Sequence, residues 1–353
     1  MDEINRIISQ KIKAARDTFP ALLLEEHFKI QPQLKEKYKE RQIKLYIEDT
    51  RYHLSYLAES IAANEPVLFN EYLAWAKTFF ANLPVTDEEI ILNLELLRDK
   101  LAGTLPAEYS IVTNKFINEG ISRYKSQNTF PPTFIVESNP LMKSASDYLE
   151  YLVDGNKKAA SDLIMKMVND GTSIKDLYMH LFQVTQKETG RLWQMSRISV
   201  AQEHFITAAT QMIMSQLYPY LFTNKNRGKS IIVSCINGEL HELAPRMVAD
   251  LFEMDGWNSF YFGANTPKIS LIKAIDDYKP DIIAISATMT FNIDPVSELI
   301  ESIKDSPNAK HVKILVGGHP FNLANNLWKS VGADGFAIDA NSAIQRANEL
   351  LNL

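Results

Sequence analysis

The stretch VSCINGELHELAPRMVADLFEMDGW, which runs from Val233 to Trp257, decides the fold. A short apolar run leads through a glycine into a loop and then into an amphipathic segment, which predicts a strand followed by a helix. The loop carries His241 with Glu239 two residues before it, so an imidazole stands where it can bind a metal. Pro245 occupies the position at which a zinc protease would carry a second histidine.

The same alternation continues to the end of the chain. β-Branched runs alternate with helix-like segments, and these runs read SIIVSC, SFYFG, DIIAISA, KILVGG and GFAID. The helices are predicted over 243–255, 267–278, 294–304, 321–331 and 341–351. Strands that alternate with helices predict a parallel sheet covered on both faces. We expect residues 225–353 to form a flavodoxin-like (Rossmann-type) domain with a five-stranded parallel sheet. Its ligand should lie beyond the carboxyl ends of the strands.

Three other regions precede this predicted domain, and together they make the fold class α/β. Residues 1–128 show helical periodicity without strand signals, which predicts an all-helical sensor or interaction domain. Residues 129–140 contain three prolines and little periodicity, which is typical of a linker. Residues 141–224 have the spacing of a four-helix bundle, which we call the cap, with helices predicted over about 141–154, 156–170, 173–192 and 199–221.

Composition excludes several classes of function. The net charge is −6 without a long basic run, and no basic recognition helix is evident, so we expect no direct DNA binding. The single cysteine, Cys235, excludes an intrachain disulfide and a cysteine-based zinc site. The chain shows no signal sequence and no stretch long enough to span a bilayer, so we expect a cytoplasmic protein without a membrane partner.

Polar and small residues follow two further strands at the predicted ligand edge. Ser286 and Thr288 end the third apolar run, and Gly317 and Gly318 end the fourth. Each has an ordinary explanation, since serine and threonine cap helices and glycine pairs make turns. Taken alone, His241 could likewise be a solvent-exposed loop histidine. Because all of them fall at one edge of one sheet, a shared ligand site is the hypothesis that explains them together.

Residues 229–353 resemble a cobalamin-binding domain. That family has Asp/Glu-x-His-x-x-Gly after the first strand, Ser-x-Leu after the third and Gly-Gly after the fourth. This chain reads Glu239-Leu240-His241-Glu242-Leu243-Ala244 at the first of these positions. At the other two it reads Ser286-Ala287-Thr288 and Gly317-Gly318. Ala244 for glycine and Thr288 for leucine are departures from the pattern.

The resemblance implies a role for each matched residue. His241 would be the lower ligand of cobalt, and Glu239 would accept a hydrogen bond from its other ring nitrogen. The nucleotide tail of the cofactor would pass beside Ser286, Thr288 and the glycine pair, Gly317 and Gly318.

The cap contains a second motif. The segment GRLWQMSRISVAQEH places Glu203 and His204 nine residues after Trp193. This spacing resembles the Trp-x9-Glu-His signature of B12-dependent photoreceptor regulators. The resemblance implies that these three residues line an adenosyl pocket above the corrin, whereas the plain alternative is a core aromatic and a solvated helix face. Gln194 stands where those regulators often carry a cobalt-capturing histidine, which leaves His204 or water for that face.

These motifs favour a light-responsive adenosylcobalamin sensor that signals through protein contacts, and a binding protein rather than an enzyme. Its helical domains would mediate homo-oligomer formation or bind a protein partner. The alternatives are a corrinoid methyl carrier of a methyltransferase system, with methylcobalamin or hydroxocobalamin bound, and a B12 photoreceptor with an additional bilin. The N-terminal region faintly resembles helical sensor domains, where His53 either binds a pigment such as haem or is structural.

Overall fold

The computed structural model describes residues 3–222 and 226–353, and its residues divide into two compact units. The first unit comprises Met1–Thr129 together with two segments from later in the chain, Met289–Asp294 and His319–Val331. The second unit comprises the remaining segments, Phe130–Thr288, Pro295–Gly318 and Gly332–Leu353. The later segments of the first unit therefore begin directly after two residues predicted for the ligand site.

The N-terminal part of the first unit is built from helices. They are α1 (Glu3–Ala15), α2 (Phe19–Ile30), α3 (Leu34–Lys37), α4 (Glu40–Ala63), α5 (Pro66–Phe80), α6 (Asp87–Thr104) and α7 (Ala107–Ser126). Their apolar faces meet in a core whose fully buried members include Leu23, Leu54, Phe69, Leu94 and Ile117. The hydroxyl of Thr86 accepts a hydrogen bond from the Glu89 amide and so caps the start of α6.

His53 lies inside this helical part and has a structural role there. Its side chain is 1% exposed, and Nδ1 lies 2.8 Å from the hydroxyl of Tyr72. Burial lowers the pKa of His53 to about 4, so the ring is neutral at physiological pH. These contacts favour the structural interpretation of His53 over a pigment ligand.

The second unit begins with the cap. Its helices are α8 (Met142–Val153), α9 (Lys157–Asn169), α10 (Ile174–Asp176), α11 (Gln183–Gln194) and α12 (Val200–Gln216). A π-helical turn, Leu177–Phe182, joins α10 to α11, so that the predicted third helix is continuous but widened at this turn. The fourth helix ends at Gln216, earlier than predicted, because Pro219 cannot donate the next amide hydrogen bond.

The predicted linker lies against the cap through hydrogen bonds. Residues 127–141 form no regular helix or strand. However, the Pro131 carbonyl accepts from Arg191 at 3.1 Å, and the Phe134 amide donates to Glu188 at 2.9 Å. This segment is therefore bonded along α11 and belongs to the second unit from Phe130 onwards, while its role as a linker stays a prediction.

A five-stranded parallel sheet follows the cap. Its strands are β1 (Ser230–Cys235), β2 (Asn258–Gly263), β3 (Ile282–Ser286), β4 (Lys313–Gly317) and β5 (Gly335–Ala337). They lie in the order β2-β1-β3-β4-β5, and every neighbouring pair is parallel. This is the flavodoxin-like order, so the predicted fold class is confirmed.

Helices connect the strands of this sheet. They are α13 (Leu243–Met254), α14 (Lys268–Tyr278), α15 (Ile293–Asp305), α16 (His319–Leu323), α17 (Leu327–Ser330) and α18 (Ala340–Leu350). The helix predicted over 321–331 is in fact two short helices, because Asn325 and Asn326 favour a turn over a helix interior. Within residues 3–222 and 226–353, no helix is both long and apolar enough to cross a bilayer.

Candidate functional site

The carboxyl ends of β1, β3 and β4 lie side by side. In the sheet register Cys235 pairs with Ser286, and Ser286 pairs with Gly317. The loops that follow these strands therefore start from one edge, which is where ligands bind in open parallel sheets. The structure thus brings the loops of His241 and Thr288 to the same edge as the glycine pair.

His241 is held by Glu239. Nδ1 of the imidazole lies 2.5 Å from Oε1 of Glu239, and the His241 amide donates to the same oxygen at 3.1 Å. The other oxygen, Oε2, accepts a hydrogen bond of 2.7 Å from the Thr288 amide. Glu239 is completely buried, whereas 60% of the His241 side chain is exposed. One carboxylate therefore orients the imidazole and joins the loop after β1 to the loop after β3.

The pair shifts the pKa of both partners. The hydrogen bond with Glu239 raises the pKa of His241, against the opposing effect of burial. Burial by itself raises the pKa of Glu239, but the hydrogen bonds from His241 and the Thr288 amide outweigh it and lower this pKa to about 2. Glu239 is therefore ionised at neutral pH and keeps the proton of a neutral imidazole on Nδ1, which leaves the lone pair on Nε2.

The donor set suits a metal that brings most of its own ligands. In the part of the chain that the structure describes, no group of three or more His, Cys, Asp or Glu side chains could hold a metal ion. A metal bound by His241 would have this single protein ligand, and an organic macrocycle would have to supply the others. Cobalt in a corrin ring meets that requirement, and an imidazole with its second nitrogen bonded to a carboxylate is a suitable axial ligand.

The two glycines after β4 differ in what they allow. Gly318 has a φ of +108°, and a Cβ added there would lie 1.9 Å from the carbonyl oxygen of Ala287. A Cβ on Gly317 would meet nothing closer than the Ala337 carbonyl oxygen at 3.4 Å, which is an ordinary contact. The resemblance places the nucleotide tail beside both glycines, which stays a prediction. Gly318 is in addition required by the close approach of the β3 and β4 loops.

Trp193 is the last residue but one of α11, and Glu203 and His204 lie in the first turns of α12. Trp193 is half-buried against the cap core. Nδ1 of His204 lies 2.5 Å from Oε2 of Glu203, and 75% of the His204 side chain is exposed. The charge of Glu203 also contributes to the raised pKa of His241, after the larger effect of Glu239. The carboxylate of Glu203 therefore acts electrostatically on the predicted lower ligand.

Side-chain bonds and apolar packing join the cap to the sheet domain within the second unit. Gln211 of α12 donates to Glu242 at 3.0 Å, and the Tyr178 hydroxyl donates to Asp250 at 2.8 Å. Leu243 and Met247 of α13 pack into the core of the cap. The cap and the sheet domain therefore share one hydrophobic core, beside the loop that carries His241.

Sequence reasoning missed two residues of this site. Glu242 accepts hydrogen bonds from Gln211, Tyr261 and the Ala264 amide, and so joins the loops after β1 and β2 to the cap. The side-chain oxygen of Asn265 accepts from the Gly238 amide at 2.7 Å, and the backbone amide of Asn265 donates to the Glu239 carbonyl. An acid directly after His241 was a visible signal for Glu242, whereas Asn265 had none before the strands were paired.

The comparisons with known proteins identify the domains. Residues 229–347 match the family described as B12 binding domain, and residues 145–218 match a second family with the same description. The chain carries a B12-binding domain. It therefore binds cobalamin, while the form of the cofactor stays open. Both matches begin after residue 144, so neither includes the helical part of the first unit.

Relatives of the B12-binding domain are corrinoid proteins. A corrinoid protein of Desulfitobacterium hafniense is 22% identical over 217 residues, which is 60% of this chain and 99% of the relative. Dimethylamine corrinoid protein 2 of Methanosarcina acetivorans is 25% identical over 220 residues, again 60% of this chain and 99% of the relative. The likeness to photoreceptor regulators remains a prediction from the cap motif.

A solved structure shares the fold. The monomethylamine corrinoid protein of Methanosarcina barkeri has a TM-score of 0.53 at 20% identity, and the match covers 60% of this chain and 99% of that protein. At this identity the likeness shows a common arrangement of the backbone and carries no argument about substrate.

Proposed function

We propose that this chain is a corrinoid protein that carries a methyl group in a methyltransferase system, with His241 as the lower ligand of cobalt. The observation that carries the proposal is the Glu239–His241 pair at the carboxyl edge of a B12-binding domain. The corrinoid relatives support the same function. A light-responsive adenosylcobalamin sensor, which the cap motif predicts, is the second candidate.

The lower side depends on the tautomer of His241. Glu239 accepts the Nδ1 hydrogen and Nε2 keeps its lone pair, so the imidazole is ready to bind a metal. Bound cobalamin would supply a cobalt centre that accepts and gives up a methyl group. The carboxylate of Glu239 would hold the Nδ1 proton when the imidazole binds and when it is released. Its 2.7 Å bond from the Thr288 amide keeps that carboxylate in place in both cases.

The tail side depends on the loops after β3 and β4. Ser286 and Gly317 are half-buried neighbours in the sheet register, and Gly317 presents no side chain to a ligand that passes along this edge. Gly318 turns the backbone so that the two loops meet. In this proposal Ser286, Thr288 and Gly317 line the path of the nucleotide tail.

The upper side depends on the cap. Trp193 supplies an apolar surface at the end of α11, and Glu203 supplies a charge that acts on His241. For a methyl carrier these residues would shield a small upper group from water. The light-sensor candidate rests on the same residues, because an adenosyl group needs an aromatic wall and polar partners.

Binding and hydrodynamics separate the two candidates. Apo-protein is titrated in the dark with methylcobalamin and with adenosylcobalamin, and each complex is then run on gel filtration before and after green light. For a methyl carrier we expect methylcobalamin to bind at least as tightly as adenosylcobalamin, and illumination to leave the elution volume unchanged. A clear preference for adenosylcobalamin, together with a light-dependent shift in elution, would establish the sensor instead.

A further inference from the structure

The first unit contains the segment that follows the Thr288 amide. Met289–Asp294 belongs to this unit, and the turn within it packs against α4. The ring of Phe291 packs edge-on against Tyr56 with ring centres 5.8 Å apart, and it also lies 6.2 Å from the ring of Tyr52. The Tyr56 hydroxyl donates to the sulfur of Met289 at 3.8 Å. Aromatic packing from one helix therefore holds this short segment.

Glu59 adds a polar contact to the same segment. Its side chain is 2% exposed and lies 2.5 Å from the ammonium of Lys13. Lys13 also pairs with the Asp294 carboxylate, so one ammonium joins Glu59 to the first turn of α15. A short 3₁₀ turn, Thr290–Asn292, leads directly into α15, and the Ile293 amide donates to the Thr290 carbonyl. Glu59 therefore holds the start of α15 through Lys13.

A short path of bonds links Glu59 to the predicted cobalt ligand. Met289 is peptide-bonded to Thr288, and the Thr288 amide donates to the carboxylate of Glu239 at 2.7 Å. Glu239 in turn orients His241. We expect a change in how α4 holds the segment at 289–294 to displace the amide that donates to the Glu239 carboxylate. Six residues separate Thr288 from Pro295, so little slack in the chain can absorb such a displacement.

We propose that Glu59 is a positioning residue for the lower cobalt ligand, through which the N-terminal helices control how strongly His241 binds cobalt. This inference rests on the proposed function, because it takes His241 to be that ligand. It gives the N-terminal helices a role in the same site, although neither B12-binding family match extends to them. A partner or signal that alters the packing of α4 would then alter the coordination of cobalt.

The chain offers a matched control in Glu89. Like Glu59, it is a buried glutamate of the first unit and lies 2.5 Å from a lysine ammonium, that of Lys37. Its other oxygen accepts from the hydroxyl of Tyr38 at 3.0 Å. In the described part of the chain Glu89 bonds to Lys37 of α3, to Tyr38 directly after α3 and to Thr86, which caps α6. None of these bonds reaches the segment at 289–294. Burial raises the pKa of Glu59 to about 7. Glu59→Gln and Glu89→Gln therefore make the same change of a buried carboxyl group to an amide beside a lysine.

The experiment uses full-length protein labelled with ¹⁵N-histidine and loaded with hydroxocobalamin, which is then reduced to the Co(II) form. Electron paramagnetic resonance distinguishes a ¹⁵N-imidazole ligand, which gives a doublet splitting, from the cofactor's own ¹⁴N base, which gives a triplet. We expect wild type and E89Q to show the doublet alone. E59Q should show a mixture of doublet and triplet, with cobalamin affinity reduced by about tenfold, as for loss of an outer hydrogen-bond partner of a metal ligand.

Each outcome decides between the claims. An E59Q spectrum and affinity equal to those of E89Q would overturn the positioning role while leaving the proposed function intact. A wild type without the doublet would overturn His241 as the lower ligand, and the inference with it. If circular dichroism shows that E59Q is unfolded, Phe291→Leu replaces it, because this change loosens the same segment and leaves the charges in place. F291L should then show the triplet component, and a pure doublet would refute the inference.

Discussion

The chain contains two glutamate–histidine pairs with the same contact distance and different surroundings. In both, Nδ1 of the histidine lies 2.5 Å from a glutamate oxygen. Glu239 is fully buried and also accepts bonds from two backbone amides, whereas Glu203 is 28% exposed and its histidine is 75% exposed. Ion pairs in solvent contribute little to structure, so only the buried pair fixes an imidazole in one orientation. The contact alone does not make a ligand site; burial and backbone anchoring do.

The largest difference between the two pairs is expected when each histidine is removed in turn. For His241→Ala we expect cobalamin affinity to fall by more than about 100-fold, since loss of a ligand should exceed the 10–100-fold effect of losing its hydrogen-bond partner. His204→Ala should change the affinity only slightly, because its ring is largely in solvent. Calorimetric titration of both apo-proteins with hydroxocobalamin measures the difference. Equal losses in the two variants would contradict the assignment of His241.

The second test changes the two carboxylates. Glu239→Gln keeps the shape of the side chain but loses the charge that holds the Nδ1 proton, so we expect affinity to fall by about 10–100-fold. The matched change Glu203→Gln should leave hydroxocobalamin binding close to that of wild type. The same titration applies, and thermal melts of the apo-proteins show whether folding is intact. An unaffected E239Q would mean that the tautomer of His241 is set by something other than this carboxylate.

The third test compares the two glycines at the sheet edge that holds the buried pair. It measures how much stability is lost when each is replaced by alanine. Gly318→Ala forces a side chain into the left-handed region and against the Ala287 carbonyl, which should destabilise the apo-protein by about 2–3 kcal/mol. Gly317→Ala meets only an ordinary contact at 3.4 Å and should cost less than about 1 kcal/mol. Urea denaturation of both variants measures the two values. Similar midpoints would show that the loops after β3 and β4 can move apart.

The smallest effect is expected at the cap. Trp193 is only half-buried, so Trp193→Ala should destabilise the apo-protein by less than the roughly 3–5 kcal/mol seen for fully packed aromatics. For a methyl carrier the change should also lower the binding affinity for methylcobalamin and for adenosylcobalamin to a similar extent. Parallel titrations in the dark compare the two cofactors. A loss of affinity confined to adenosylcobalamin would show that the cap forms a selective adenosyl pocket and is not a general cover.

Much of the B12-binding domain could be predicted from local patterns. β-Branched runs separated by helical segments have one compact arrangement, a parallel sheet covered on both faces, and residues at strand ends then share an edge. For this reason His241, Ser286 and Gly317 could be assigned to one region before any contact was known. Two helix boundaries differ from the prediction: the end of α12 at Gln216 and the break between α16 and α17 at Asn325. Proline and asparagine act through local hydrogen bonding, which the periodicity of apolar residues does not register.

The sequence by itself determined which residues stand at the end of each strand and that Glu239 pairs with His241. Both depend on neighbours a few residues apart. Only the tertiary structure decided what holds that pair. The Thr288 amide, 49 residues from Glu239, and the pairing of Lys13 with Asp294, 281 residues away, depend on which loops meet after the chain has folded. Such contacts join segments with no common periodicity, so the packing of buried surfaces selects them and no local pattern records them.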